Sequence, residues 1–196
     1  MLELVGERGY REVTIGEVLG RSGSNRSQFY AAFKSKDACL EAAYADALDA
    51  LLERLLGRGQ EVPWARRVRN ALEDLAEFVA DDPALARGIF SGARLAGNGV
   101  EIKRRDAIER LTEAVDAARG EIGSRPAPPP IAARFLVGVV EAAVLQYLAE
   151  PEGRDFGAEI RDVLYMAVDV YLGPEAAQAE VDAFEPGEGS RKDENI

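Results

Sequence analysis

Arg26, Ser27 and Gln28 stand in a row at the start of a helical period, and their side chains are of the kind that reads nucleic acid. A guanidinium can donate two parallel bonds to the edge of guanine, and a glutamine amide can pair bidentately with adenine. The same three residues at the first turn of any helical hairpin would also sit comfortably in water, so their types alone leave both readings open. Catalytic groups are scarcer. The 196 residues include no histidine and one cysteine, Cys39. That removes Ser-His-Asp triads, Cys-His pairs, His-ligated zinc and CxxC sites. Asp81-Asp82 is the nearest approach to a carboxylate pair, and an acid directly before Pro83 is better explained as a helix cap. No enzymatic activity, metal or cofactor is expected.

The elements that would carry the Arg-Ser-Gln run are legible from caps and periodicity. Thr14, with Glu17 three residues later, forms a capping box for a short helix over Ile15 to Ser22, and Gly23 suits its left-handed end. Asn25 then caps a second short helix, with Gln28 at its third position, running to about Phe33. Two short helices joined by a tight glycine turn predict a helix-turn-helix, whose second helix can lie in the major groove. Charge agrees locally. The chain carries a net −11, yet residues 1–36 hold six basic against four acidic side chains, and Val18 to Lys36 holds four basic and none acidic. A positive face on an acidic body suggests one small module that meets a polyanion.

Further along, helical spacing recurs and strand alternation does not, so an all-α chain is predicted. Leu2 to Arg8 reads as the end of a helix stopped by Gly9. A long helix from Ser35 keeps Leu40, Tyr44, Leu48, Leu51 and Leu55 on one face until Gly57-Arg58-Gly59. Helices follow from Pro63 and from Asp82-Pro83, then a break over Gly92 to Gly99, then a helix to Gly120. The run Arg125 to Pro130 is a rigid linker that no helix crosses. Two last long helices cover about 131–149 and 155–172. Beyond Gly173-Pro174 a short helix is possible, and residues 187–196 read as disordered.

These residues also resemble a known family. Gly9-Tyr10, Thr14-Ile15, Gly23, Phe29-Tyr30 with Phe33, and Ser35-Lys36-Asp37 with Leu40 resemble the N-terminal DNA-binding pattern of the TetR family of bacterial regulators, over roughly residues 4–44. The resemblance implies that Arg26, Ser27 and Gln28 read bases, that Tyr30 touches a phosphate or base, and that Lys36 and Thr14 touch phosphates. Phe29 and Phe33, one turn apart, read as core. The sequence departs from the pattern at Ser24, at Leu19 and Ser22 where alanines are usual, and at Ala31 and Ala32. It enters the pattern halfway through the first helix, without the customary basic arm. The domains expected are a helix-turn-helix domain at 1–44 with a shortened first helix, a helical effector-binding and dimerisation domain at 45–173, and a largely disordered tail at 174–196.

The two last long helices are apolar on most sides, with Glu141, Gln146 and Asp169 as exceptions. Such helices need cover on more than one side, and a second copy of the same pair is the simplest cover. A homodimer through the helices near 131–149 and 155–172 is therefore expected, and the resemblance implies the same. It further implies double-stranded operator DNA and a small-molecule effector as partners. Candidate effector contacts are Trp64, Phe78, Phe90, Phe135 and Tyr147, although residues of these types are more often plain core than ligand contacts. Phe135 to Ala149 falls short of the ~18 residues of a membrane span, so no membrane partner is expected. A lone cysteine and the lack of a signal-peptide pattern fit the cytoplasm. The reading is a ligand-responsive repressor that binds a palindrome as a dimer. Its alternative is a helical ligand-binding or interaction protein with weak or no specific DNA binding.

Overall fold

A computed structural model of the chain describes residues 1–57, 61–92 and 98–185. Among these the chain is helical throughout, with no strand. The helices are α1 (Leu2–Arg8), α2 (Ile15–Ser22), α3 (Arg26–Ala32), α4 (Lys36–Gly57), α5 (Trp64–Asp81), α6 (Pro83–Phe90), α7 (Asn98–Asp116), α8 (Ala132–Ala149), α9 (Phe156–Leu172) and α10 (Pro174–Asp182). A 3-10 turn, Ala117–Gly120, continues α7. The loop expected at Arg58-Gly59, most of the Gly92–Gly99 break and the terminal stretch 187–196 lie outside the described residues.

The chain forms two compact units, and neither is a continuous segment. The first comprises Met1–Ala50 and Asp82–Asp106, the second Leu51–Asp81 and Ala107–Ile196. The expected boundary after residue 44 therefore gives way to a first unit that also recruits α6 and the start of α7. Glycine is the physical reason. A Cβ on Gly6 would fall 1.8 Å from the Ala84 carbonyl oxygen, and one on Gly88 would fall 2.4 Å from that of Leu2. Only bare backbones allow α1 and α6 to approach this closely. The Arg87 Nε adds a bond to the Gly6 carbonyl at 3.3 Å. Around this crossing Leu2, Leu4, Val5, Val13, Phe29, Leu40, Tyr44 and Ile89 make the first core.

The second unit is organised on α9, which packs against α5, α8 and α10. Ile160, Leu164, Val168 and Tyr171 are fully buried along it. Trp64 packs against Tyr171 with the rings tilted by 53° at 5.2 Å between centroids, and donates its indole N–H to the Ala114 carbonyl at 3.2 Å. The Tyr171 hydroxyl donates to Asp116 at 3.0 Å, and Arg119 holds the same carboxylate while donating to the carbonyls of Pro128 and Pro129. The proline-rich linker is thus pinned by its own carbonyls, as a segment that cannot form a helix requires.

Two expectations need correcting. Residues 174–185 are not a disordered tail: Pro174 starts α10, Ala177 and Phe184 are buried, Arg69 pairs with Glu180 at 3.0 Å, and the Glu185 N–H donates to Glu73 at 2.9 Å. The apolar segment near 135–149 is also longer than expected. As α8 it runs 18 residues, long and apolar enough by those two measures to cross a membrane. Ala133, Leu136, Val144 and Leu148 bury one stripe of it in the second unit.

Candidate nucleic-acid interface

The interface is built on two consecutive capping boxes. At the first, the Glu17 N–H donates to the Thr14 hydroxyl at 3.3 Å, and the Glu17 carboxylate accepts from the Thr14 N–H and hydroxyl at 2.8 Å each. These bonds are the main reason that the Glu17 carboxyl is held below the usual carboxylate range, with Arg8 adding to them. Gly23 closes α2 at φ 67°, a left-handed conformation that a side chain resists. At the second box, the Gln28 N–H donates to the Asn25 Oδ1, and the Asn25 N–H donates to the Gln28 Oε1, both at 3.0 Å. The α2–α3 pair over Thr14 to Phe33 is therefore fixed by bonds that span three residues each. Val18 and Phe29 anchor it to the first core.

This arrangement leaves the first turn of α3 in solvent. Arg26, Ser27 and Gln28 are exposed, and Arg26 makes no ion pair among the described residues. Tyr30 is 52% exposed and stands edge-on to Phe29, which together with Phe33 packs inward as expected. An exposed phenol beside a buried ring places its hydroxyl outward, available to a phosphate or a base. Thr14 is exposed, but its hydroxyl proton is already shared with Glu17.

Three cationic residues behave differently from what their types suggest. Arg8 is paired with Glu17, and Arg21 is held by Glu3 at 3.2 Å and Glu7 at 2.9 Å. The Glu7 carboxyl is lowered chiefly by that Arg21 hydrogen bond. Lys36 points inward: its Nζ donates to the carbonyls of Tyr10 at 3.0 Å and Val13 at 2.9 Å, and lies 4.2 Å from the centroid of the Tyr10 ring. The Tyr10 hydroxyl in turn donates to Asp37. Sequence spacing places Lys36 at the start of α4 but carries no signal for where its long stem leads.

The five aromatic residues considered for an effector are divided between the two units. Phe90 belongs to the first unit, and Trp64, Phe78, Phe135 and Tyr147 belong to the second. Trp64 is committed to Tyr171, Tyr147 stacks on Phe156 at 4.6 Å, and Phe135 is 66% exposed. Phe135 lines a shallow apolar groove of about 200 Å³ on α8 and α9, together with Leu136, Val139, Tyr165, Met166 and Val170.

Comparison with known proteins agrees with this geometry. The model of the bacterial regulatory proteins of the tetR family matches residues 2–43. No curated protein matches the chain. Among solved structures, the chain is similar to the transcriptional regulator FadR from Bacillus subtilis in complex with stearoyl-CoA, at TM-score 0.73 and 16% identity, over 85% of this chain and 93% of that one. It is similar also to the fatty acid degradation regulator FadR from Bacillus halodurans, at TM-score 0.72 and 13% identity over the same shares. A tetR-family transcriptional regulator from Streptomyces coelicolor aligns at TM-score 0.67 and 21% identity, over 96% of this chain and 87% of that one. At these identities the likeness establishes a shared fold.

Proposed function

We propose that the chain, whose residues 2–43 match the model of the bacterial regulatory proteins of the tetR family, is a ligand-responsive repressor of that family that binds palindromic operator DNA as a homodimer. The observation that carries this reading is the doubly capped α2–α3 pair, which holds Arg26, Ser27, Gln28 and Tyr30 in solvent within a stretch free of acids. In that reading Arg26 reads a guanine, Ser27 and Gln28 read neighbouring edges, and Tyr30 and Thr14 meet the backbone. Two such helices, about one DNA turn (~34–36 Å) apart, read a two-fold site. The dimer forms through α8 and α9, where Ile131, Phe135, Met166 and Val170 leave large apolar side chains in water.

The effector acts by population shift: it binds better to a dimer whose reading heads are wrongly spaced, and DNA is released. The similar FadR structure holding stearoyl-CoA supports a body of this fold that takes up a small molecule, and the second unit is its place here. Trp64 is the chain's one tryptophan, so its fluorescence reports on any such ligand. The protein works in the cytoplasm without metal or cofactor.

The experiment is selection from a random duplex pool at near-physiological salt. Enrichment of a palindrome is the expected result. A folded protein that enriches no sequence would favour the second reading, a helical ligand-binding or interaction protein. The specific observation behind that reading is the acid carried outside the module, 31 acidic against 18 basic side chains beyond residue 36. A decisive variant is Arg26→Ala. It is expected to lose roughly 1–3 kcal/mol of specific binding and to relax one base position. An unchanged sequence preference would remove Arg26 from the reading set.

A further inference from the structure

We infer that Lys36 is an internal pin of the DNA-binding module, and that Lys34, two residues earlier in the same turn, supplies the ammonium that meets a phosphate. The inference rests on the DNA-binding reading above and deepens it.

Lys36 spends two of its three N–H donors on the carbonyls of Tyr10 and Val13, at 3.0 and 2.9 Å, and its charge lies over the Tyr10 ring at 4.2 Å. Val13 is buried and directly precedes Thr14, the cap of α2. The bonds therefore tie the entry of α2 to the start of α4. The Tyr10–Asp37 bond ties the same two places a second time. For Lys36 to reach a phosphate, both carbonyls would have to give up a charged donor in a half-buried turn, which costs more than an exposed lysine pays for the same contact. Lys34 faces no such choice. It follows Phe33, the last capping residue of α3, is exposed, and has no hydrogen bond or ion pair among the described residues. Arg8 and Arg21 are already held by carboxylates. Of the six cations in residues 1–36, Arg11, Arg26 and Lys34 have no ion pair among the described residues, and Lys34 sits between α3 and α4.

The test combines amine footprinting and salt dependence on the full chain, with a mixed-sequence duplex of about 30 base pairs at low salt as probe. Acetylation is mapped by mass spectrometry with and without the duplex. Lys34 is expected to react readily in the free protein and to be protected by DNA, and Lys36 to react slowly in both. Each phosphate contact contributes about 0.9 to the slope of log K against log salt. Lys34→Gln should therefore flatten the slope by about 1.8 for a dimer, and Lys36→Met should leave it at the wild-type value while lowering the melting temperature. Lys36 that reacts freely and is then protected by the duplex overturns the inference, and so does a Lys34→Gln slope equal to wild type. If Lys36→Met does not fold, the footprint and the Lys34 variant decide alone. A wild-type protein that retains no duplex overturns the DNA reading itself, and this inference with it.

Discussion

Gln28 serves two roles that can be separated by chemistry. Its Oε1 accepts from the Asn25 N–H and completes the cap of α3, whereas its Nε2 is the donor a base would use. Gln28→Glu keeps the acceptor and thus the capping box, but replaces the donor with a second acceptor that repels phosphate and cannot donate to adenine. Gln28→Ala loses both. Gln28→Glu is therefore expected to melt within about 0.5 kcal/mol of wild type while losing operator affinity, and Gln28→Ala to lose about 0.5–1 kcal/mol of stability as well. Thermal melting and a binding titration on the same samples check this, and equal DNA affinity for Gln28→Glu and wild type would confine the residue to capping. Two tyrosines give a second residue-level outcome. Burial first, and then the bonds to Asp37 and Asp116, push Tyr10 and Tyr171 up to about 12 from the ordinary 10. Because the folded value is raised, the stabilisation is complete below pH 10 and is lost as pH rises towards 12. A phenolate absorbance titration should show late ionisations from Tyr10 and Tyr171, and Tyr171→Phe should remove one of them. A Tyr171→Phe variant whose late ionisation equals that of the wild type would contradict the Tyr171–Asp116 bond.

Glycines inside helices distinguish what each element is for. Gly20 in α2 has nothing within 4 Å of where a Cβ would stand, so Gly20→Ala should gain up to ~1 kcal/mol of helix stability. Gly88 in α6 has the Leu2 carbonyl oxygen 2.4 Å from that position. Gly88→Ala should therefore cost about 1–3 kcal/mol by forcing α1 away from α6. Chemical denaturation of both variants tests the pair, and a neutral Gly88→Ala would mean that the crossing is loose. The contrast also explains what was legible in the sequence. Each cap of α2, α3 and α6 is a bond between residues three apart, so Thr14 with Glu17, Asn25 with Gln28, and Asp82 before Pro83 can be read locally. The α1–α6 crossing joins residues about 80 positions apart through atoms that glycine lacks, and no periodicity marks it. A short helix after Pro174 was legible, but the docking of α10 was not, for a related reason: its hold on α5 comes from Arg69–Glu180 and Glu73–Glu185, polar pairs that read as surface in a sequence. The exposure of the first turn of α3 follows from its local cap and was legible, whereas the inward course of Lys36 depends on a turn formed by residues 23 and 26 positions earlier.

For the whole molecule, the decisive surface is the one that α8 and α9 leave uncovered. Phe135 is 66% exposed, Ile131 69%, Met166 43% and Val170 41%, on helices whose opposite stripes fill the core of the second unit. Scattered apolar residues need no explanation, but three large ones (Phe135, Met166 and Val170) around one groove on two adjoining helices, with Ile131 at the cap of α8, do. A lipid surface would suit the length of α8, yet Arg134 and Glu141 lie within that helix and Asp169 lines the groove, and charges in a bilayer are costly. A second copy meets both demands, because a two-fold pairing of α8 and α9 can bury the apolar side chains while leaving the charges at a wet rim. Phe135→Glu places a charge at this face without touching the core. It should convert a dimer into a folded monomer in sedimentation, and it should lower operator affinity far more than it lowers the affinity for a single half-site. The two readouts belong together, since a module that reads a palindrome needs its partner for half of the site. Dimers that persist in Phe135→Glu would move the subunit contact elsewhere, and binding to lipid vesicles that the same variant abolishes would assign the face to a membrane.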